Sequence, residues 1–357
     1  MVTAAQVHAS AHTDEATALA QDGTLPLPWL RDPLQQALTQ GRSHALLLQG
    51  PAGVGQFDLA ILLAQAWLCE ARTGTDQPGC GHCPSCHLLR SRSHPDFQIL
   101  LPDALKESLG YGAADSEGGE GTTKASKTKP SREIKIEAVR QMLSFAQISA
   151  ARGKAKVVVV YPAEALNTVA ANALLKTLEE PAELLRFVLA SAAPQQLLPT
   201  IRSRCQPLQM ALPARDAALQ WLQGQGVASP EVLLDATGGR PQEALLWSEE
   251  GIAAKTWLEL PRRIARGEAQ ALTDWPVPRA IAAMQRLVHD LMRIAHGAPP
   301  SFFPRDALPK LPAVRATLDQ WARTLAQAAR HAEHPLNAGL LMESLVAQGQ
   351  QAMRPAR

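Results

Sequence analysis

Apolar positions Leu30, Leu34, Ala37 and Leu38 recur at helical spacing, and Gly41 follows them, so the pattern predicts a helix over 30–40. A continuous apolar run at 45–48 then enters a glycine loop, 50–55, after which 59–69 is helical by its period. Strand, loop, helix is the order of a phosphate-type βα unit. Further buried strands are expected at 97–101, 157–160 and 187–190, with helices at 136–145 and at 170–178, the latter stopped by Pro181. Strands that alternate with helices imply a parallel sheet. Beyond Leu212 no strand pattern survives. Pro213, Gly224, Gly226, Pro230, Gly238 and Gly239 punctuate short helical pieces, and longer periodic stretches follow at 281–296, 314–332 and 340–348. This second half divides into a small helical domain at 213–250 and a larger helical bundle at 251–357. At helical spacing, Met284, Leu287, Leu291 and Ile294 read as bundle core.

Composition narrows the picture. Lys plus Arg is 35 against 33 for Asp plus Glu, so no global positive field drives nucleic-acid binding and any DNA contact must be local. Aromatics are 4% of 357 residues, which disfavours an all-β fold. No apolar run reaches the roughly 18 residues of a membrane span; the longest candidate is interrupted by Gln65. Residues 1–25 carry Asp14 and Glu15, lack the order of a secretory leader and read as a disordered tail. The segment 103–130 is rich in Gly, Ser, Thr and Lys and reads as a flexible insertion whose Lys124, Lys127 and Lys129 keep it solvated or touch DNA. Four of the five cysteines cluster between Cys69 and Cys86, which points to a reducing cytoplasm and a metal site rather than a disulfide framework.

Cys80, Cys83 and Cys86 form a C-x2-C-x2-C run, and Cys69 precedes it with ten residues between. Four thiolates close a tetrahedral zinc site with no vacant position, so such a site would be structural. Unligated core cysteines, an iron–sulfur cluster and a DNA-reading zinc finger are the alternatives. The cluster lacks the closing C-x3-C-P of a ferredoxin run, and only Arg90 and Arg92 stand near enough to read bases. His82 and His87 are close enough to replace a cysteine, with Cys69 the least secure ligand.

The loop Gly50-Pro51-Ala52-Gly53-Val54-Gly55 has the G-x-x-x-x-G frame, but Gln56 and Phe57 stand where a working P-loop has Lys and Ser or Thr. Losing the lysine charge and the magnesium anchor removes several charge-assisted bonds, each worth about 1.5–3 kcal/mol. After the run at 157–160, Tyr161 and Pro162 replace the acidic pair of an ATPase, and Glu164 further on reads as a solvated residue. Both defects predict a nucleotide site that does not hydrolyse. The competing readings are an active P-loop ATPase or kinase with an unusual loop, and a zinc-dependent DNA-binding module.

His44-Ala-Leu-Leu-Leu-Gln-Gly50, the cysteine cluster, His94-Pro95-Asp96, Asn172-Ala-Leu-Leu-Lys-Thr-Leu-Glu-Glu-Pro181 and Leu198-Pro-Thr-Ile-Arg-Ser-Arg-Cys205 together resemble the delta-prime family of bacterial DNA polymerase III clamp-loader subunits, within the AAA+ superfamily. The resemblance covers about 26–212. It implies an α/β fold: a RecA-like AAA+ domain with a parallel sheet and an inserted zinc module at 69–92, then a helical lid at 213–250 and an all-α collar at 251–357. It also implies a non-hydrolysing stator that works within a DNA polymerase holoenzyme. Its partners would be the motor subunits gamma/tau and the delta subunit in a hetero-pentameric ring, the sliding clamp and primer-template DNA. Arg204 would be an arginine finger supplied in trans, Ser203 would position its loop, and Ser191 would sit where active relatives sense the γ-phosphate. The lid position that contacts nucleotide in motor subunits falls on Gln242, two residues past Arg240.

Overall fold

The computed structural model describes residues 18–20, 22–40, 43–112, 130–309, 316–332 and 337–354. The chain forms two compact units, residues 4–217 and 218–357. In the first, helix α1 (Arg31–Gln40), strand β1 (Ala45–Gln49), helices α2 (Gln56–Leu68) and α3 (Pro84–Arg90), and strand β2 (Phe97–Leu100) follow one another. Then come α4 (Ile136–Gln147), β3 (Lys156–Val160), α5 (Thr168–Glu179), β4 (Leu185–Ser191), the single turn α6 (Pro199–Arg202) and β5 (Gln206–Gln209). All five strands are parallel in the order β2-β3-β4-β1-β5.

A parallel sheet is covered on both faces, so its central strands need apolar side chains at every position rather than at alternate ones. The four consecutive valines of β3 satisfy this, and all are buried. Lys156, which opens β3, is buried too, because its ammonium donates to the Phe145 and Ile148 carbonyls at 2.6 and 2.8 Å and so closes the C-terminal end of α4. The edge strand β5 is absent from the sequence expectation. Its four residues include a single large apolar side chain, Leu208, and Pro207, which an edge tolerates and a central strand does not.

Two expected disordered segments have ordered ends. The tail expectation falls mostly on residues outside the described set, but Ala18 and Leu19 are buried. The Leu19 N–H donates to Gln65 Oε1 at 2.8 Å and its carbonyl accepts from Gln65 Nε2 at 3.3 Å. The polar break in the apolar run of α2 is therefore the partner of an upstream strap. Similarly, 103–112 is folded, with a helical turn at Asp103–Lys106 and buried Leu105 and Leu109. Lys124, Lys127 and Lys129 lie outside the described residues.

From α7 (Arg215–Gly224) onward the described residues hold no strand: α8 (Pro230–Ala236), α9 (Pro241–Glu249), α10 (Ala254–Arg266), α11 (Val277–Ala295), α12 (Ala316–Arg330) and α13 (Ala338–Met353) complete the chain. Met284, Leu287 and Leu291 are buried, in keeping with a core role, while Ile294 is half-buried. Trp247, Trp257 and Trp321 anchor the helical core, with Trp257 stacked on Phe303 at 4.3 Å. Glu243 on α9 is fully buried and pairs with Arg240 at 2.6 Å and with Arg286 on α11 at 2.9 Å. Arg286 also lies over the Trp247 ring at 5.0 Å. Glu243→Ala leaves two guanidinium groups without their shared carboxylate. It should cost about 3–5 kcal/mol, read as an earlier urea transition of the helical unit. Gln242, by contrast, is an interior residue of this unit, and Arg240 is committed to Glu243.

Candidate functional site

Parallel strands deliver their carboxyl ends to one side of the sheet, where α/β proteins bind ligands. Here Gln49 of β1 is paired with Ser191 of β4, and Tyr161 follows β3 on the same side. The Gly50 N–H donates to the Ser191 carbonyl at 3.3 Å, and a side chain at Gly50 would lie 2.4 Å from the Met210 carbonyl, which explains the glycine. The loop turns into α2 at Gly55, with φ at 96°, and a Cβ there would meet Leu27 Cδ1 at 2.5 Å. Leu27 and Leu30, both buried, are packed onto this glycine, and the Trp29 indole donates to the Val54 carbonyl at 2.9 Å.

The Gln56 side chain turns back into the loop, 2% exposed, and its amide donates to the carbonyls of Gly50 and Pro51 at 2.9 and 2.6 Å. A neutral donor thus satisfies the loop's own carbonyls in the place where a phosphate-binding lysine would stand. Phe57, where a magnesium-binding hydroxyl would be, is buried with its ring 5.1 Å from that of Tyr161. Burial, with the Glu164 and Asp58 carboxylates nearby, pushes the Tyr161 phenol well above its ordinary range. Glu164 is not the solvated residue expected. It is half-buried, and its Oε1 accepts from the Ala192 N–H at 3.1 Å, tying the end of β4 to the short turn after β3. Ser191 is fully buried and its hydroxyl accepts from the Ala193 N–H at 3.2 Å, so it shapes its own turn.

The second site is the cysteine cluster. The sulfurs of Cys69, Cys80, Cys83 and Cys86 all lie within 4.8 Å of one another, and among the described residues no histidine or carboxylate joins them. Cys69 to Cys83 is 3.8 Å and Cys80 to Cys86 is 4.0 Å. Metal–sulfur bonds of about 2.3 Å in a tetrahedron place sulfurs about 3.8 Å apart, so the cluster fits a metal ion. Cys69, rather than a histidine, is the fourth donor that the fold brings to the other three. His82 instead faces outward, its Nδ1 2.7 Å from the Cys80 carbonyl oxygen.

Backbone N–H groups of Cys80 and Cys83 donate to the sulfurs of Cys69 and Cys80, both at 3.3 Å, as a thiolate requires. Burial pushes the Cys69 and Cys86 thiols up. Burial opposes ionisation of Cys83 too, but donors on Cys86, Glu70 and Ala71 outweigh it and bring that thiol down to about 6. A cation would resolve this conflict by favouring thiolate at every position. Gly81 lies against the strap: a Cβ there would be 2.4 Å from the Ala20 carbonyl. Behind the cluster, Ser85 contacts His94 at 3.0 Å and the Asp96 carboxylate accepts the N–H groups of Ala151 and Arg152. This network fastens the module to the sheet edge. Arg92 is turned inward, donating to the Gly110 carbonyl and lying over Tyr111. Of the two arginines beside the cluster, Arg92 is thus engaged within the chain.

The third site lies at the opposite end of the sheet. Arg204 precedes β5, which pairs with β1 from Leu46↔Gln206, and the His44 ring contacts the Leu178 carbonyl at 2.7 Å. The end of α5 and the turn after α6 therefore meet beside the start of β1. Arg204 Nη1 donates to the Thr200 carbonyl at 3.0 Å, and Nη2 pairs with Glu179. Ser203 Oγ donates to the same Thr200 carbonyl at 3.1 Å, holding the turn closed.

A family profile described as "DNA polymerase III, delta subunit" matches residues 29–213. The DNA polymerase III subunit delta' of Escherichia coli K12 is 33% identical over 285 residues, 76% of this chain and 77% of that one. The chain belongs to the DNA polymerase III delta-prime family. The delta' subunit of Pseudomonas aeruginosa is 37% identical over 230 residues, which span 62% of each chain. The tau subunit of E. coli K12 is 32% identical over 258 residues, 72% of this chain and 34% of that protein. A gamma subunit-related protein of Thermotoga maritima superposes with a TM-score of 0.46 at 17% identity, over 90% of this chain and 99% of that one. The matched residues include the glycine loop, the cysteine cluster and the Ser203-Arg204-Cys205 turn. Sequence reasoning missed Glu179 as the partner of Arg204. The only signal was its place in the Leu-Glu-Glu-Pro segment, and spacing along the chain gives no hint that residues 179 and 204 meet.

Proposed function

We propose that this chain is the non-hydrolysing stator of a clamp loader, completing the ATP site of a neighbouring motor subunit with Arg204. Its partners would be gamma/tau motor subunits and a delta subunit in a five-membered ring that places a sliding clamp on primer-template DNA. One observation carries the reading. Arg204 and the glycine loop lie at opposite ends of the sheet, so the five residues of β1 separate them, more than about 13 Å at 3.3 Å per residue. An arginine at that distance cannot serve its own loop, and a phosphate it stabilises must belong to another molecule. The Gln56 amide in the loop, with Phe57 and Tyr161 behind it, supports the loss of hydrolysis.

In the cysteine module we assign zinc. Cys69, Cys80, Cys83 and Cys86 would hold it, and with four sulfurs present it supplies folding energy rather than chemistry. No helix among the described residues is long and apolar enough to cross a membrane.

The stator reading makes a direct prediction for the isolated chain. Mg-ATP should leave its melting temperature unchanged and no phosphate should be released above background. Gln56→Lys should not restore turnover, since Phe57 and Tyr161 still leave magnesium unliganded. Robust intrinsic turnover in a clean preparation, lost on Gln56→Glu, would instead establish an ATPase.

A further inference from the structure

Arg204 is held by its own chain. Its Nη2 pairs with Glu179 at the last position of α5, and its Nη1 donates to the Thr200 carbonyl, so both ends of the planar fork are taken. Of the three N–H donors left over, the one on Nε is buried and has no hydrogen-bond acceptor among the described residues. A guanidinium offers five donors in a fixed plane, so the two contacts to Thr200 and Glu179 leave it capacity for further acceptors. Glu179 is 52% exposed at its side chain and Arg204 27%, so water and a competing anion reach the pair. An ion pair this open to solvent is weak. It is strong enough to bias where the side chain rests and weak enough for a multiply charged phosphate to displace.

We infer that Glu179 is a positioning residue that parks the Arg204 guanidinium on its own chain until the phosphate oxygens of the neighbouring subunit's nucleotide take its place. The inference rests on the trans role proposed above and adds its regulation. The carboxylate and the phosphate compete for the same donors. Only the fraction of molecules with Arg204 released is competent, and the apparent affinity for the phosphate falls by that fraction. A parked finger also remains folded against the protein before assembly, its backbone turn already set by Ser203 and Thr200.

The test compares wild type, Glu179→Gln, Glu179→Asp, Arg204→Ala and the Glu179→Gln/Arg204→Ala pair, each assembled with motor and delta subunits. Glu179→Gln should lower the KM for ATP at the site this chain completes by about two- to fivefold, with kcat within about twofold. Glu179→Asp should return KM toward the wild-type value. The double variant should match Arg204→Ala alone. In the free full-length chain, nitrogen NMR of the arginine side chains should report hindered rotation of the Arg204 guanidinium, released in Glu179→Gln without a change in melting temperature.

If Arg204→Ala behaves as wild type, the trans reading itself is wrong. If Arg204→Ala is defective but Glu179→Gln leaves KM unchanged or raises it, the trans role stands and the parking role is overturned. Parking is likewise overturned if Glu179→Gln lowers kcat together with the melting temperature, as loss of a merely structural residue would.

Discussion

Arg204→Ala in the assembled complex should slow ATP turnover at the neighbouring site by about 10³-fold or more, the range in which a trans arginine acts on phosphoryl transfer. The magnitude follows from what the side chain supplies. Charge accumulates on the equatorial oxygens of the transferring group, and a planar fork neutralises two of them without reorganising solvent. Arg204→Lys keeps the charge but not the fork and should recover only a small part of the rate. Single-turnover hydrolysis with motor subunits, clamp and primed DNA is the measurement. The melting temperature of the free variant provides the control. It should hardly move, because Ser203 still closes its turn on Thr200 and Cys205 remains packed in the core. Wild-type turnover by Arg204→Ala would remove the trans role altogether.

The second large effect concerns the metal. Apparent binding free energies for structural zinc are about 10–16 kcal/mol in small domains, far above what this short module could draw from packing. Elemental analysis should find one zinc per chain, lost on Cys83→Ser or on chelation. Without it, four sulfurs within 4.8 Å have no reason to stay together, and limited proteolysis should cut within 71–92. The sheet should survive, since the core that includes Val158, Val160, Leu47 and Leu189 forms a cluster separate from that of the cysteines. Iron with visible absorbance, or an unchanged cleavage pattern after chelation, would overturn the assignment.

Much of the α/β unit is legible in the sequence because its determinants are local. The apolar runs of β1 to β4 and the helix periods of α2, α4 and α5 are written in adjacent residues, and the glycine loop announces itself by Gly50 and Gly55. What escapes depends on partners far along the chain. β5 is a strand because β1 offers it an edge, not because Gln206–Gln209 prefers one. Helix α10 is hidden by its internal Pro261, yet its buried Trp257, Leu260 and Ile264 mark one face. Gln65 reads as a flaw in an apolar helix until Leu19 appears beside it, and Glu164 reads as solvated until the Ala192 amide meets it. At the candidate sites, residue types are readable and geometry is not. The cysteine spacing leaves the fourth donor open between Cys69 and a histidine, and only the fold shows that Cys69 lies with the other three sulfurs.

The docking of residues 18–20 gives this stretch a second importance. Trimming by a protease at or beyond Ala20 would strip two backbone partners from the interior amide of Gln65 and bare the tight face at Gly81. The injury would begin upstream and surface around the sulfurs, so metal loss in an aged preparation should be accompanied by a ragged amino terminus.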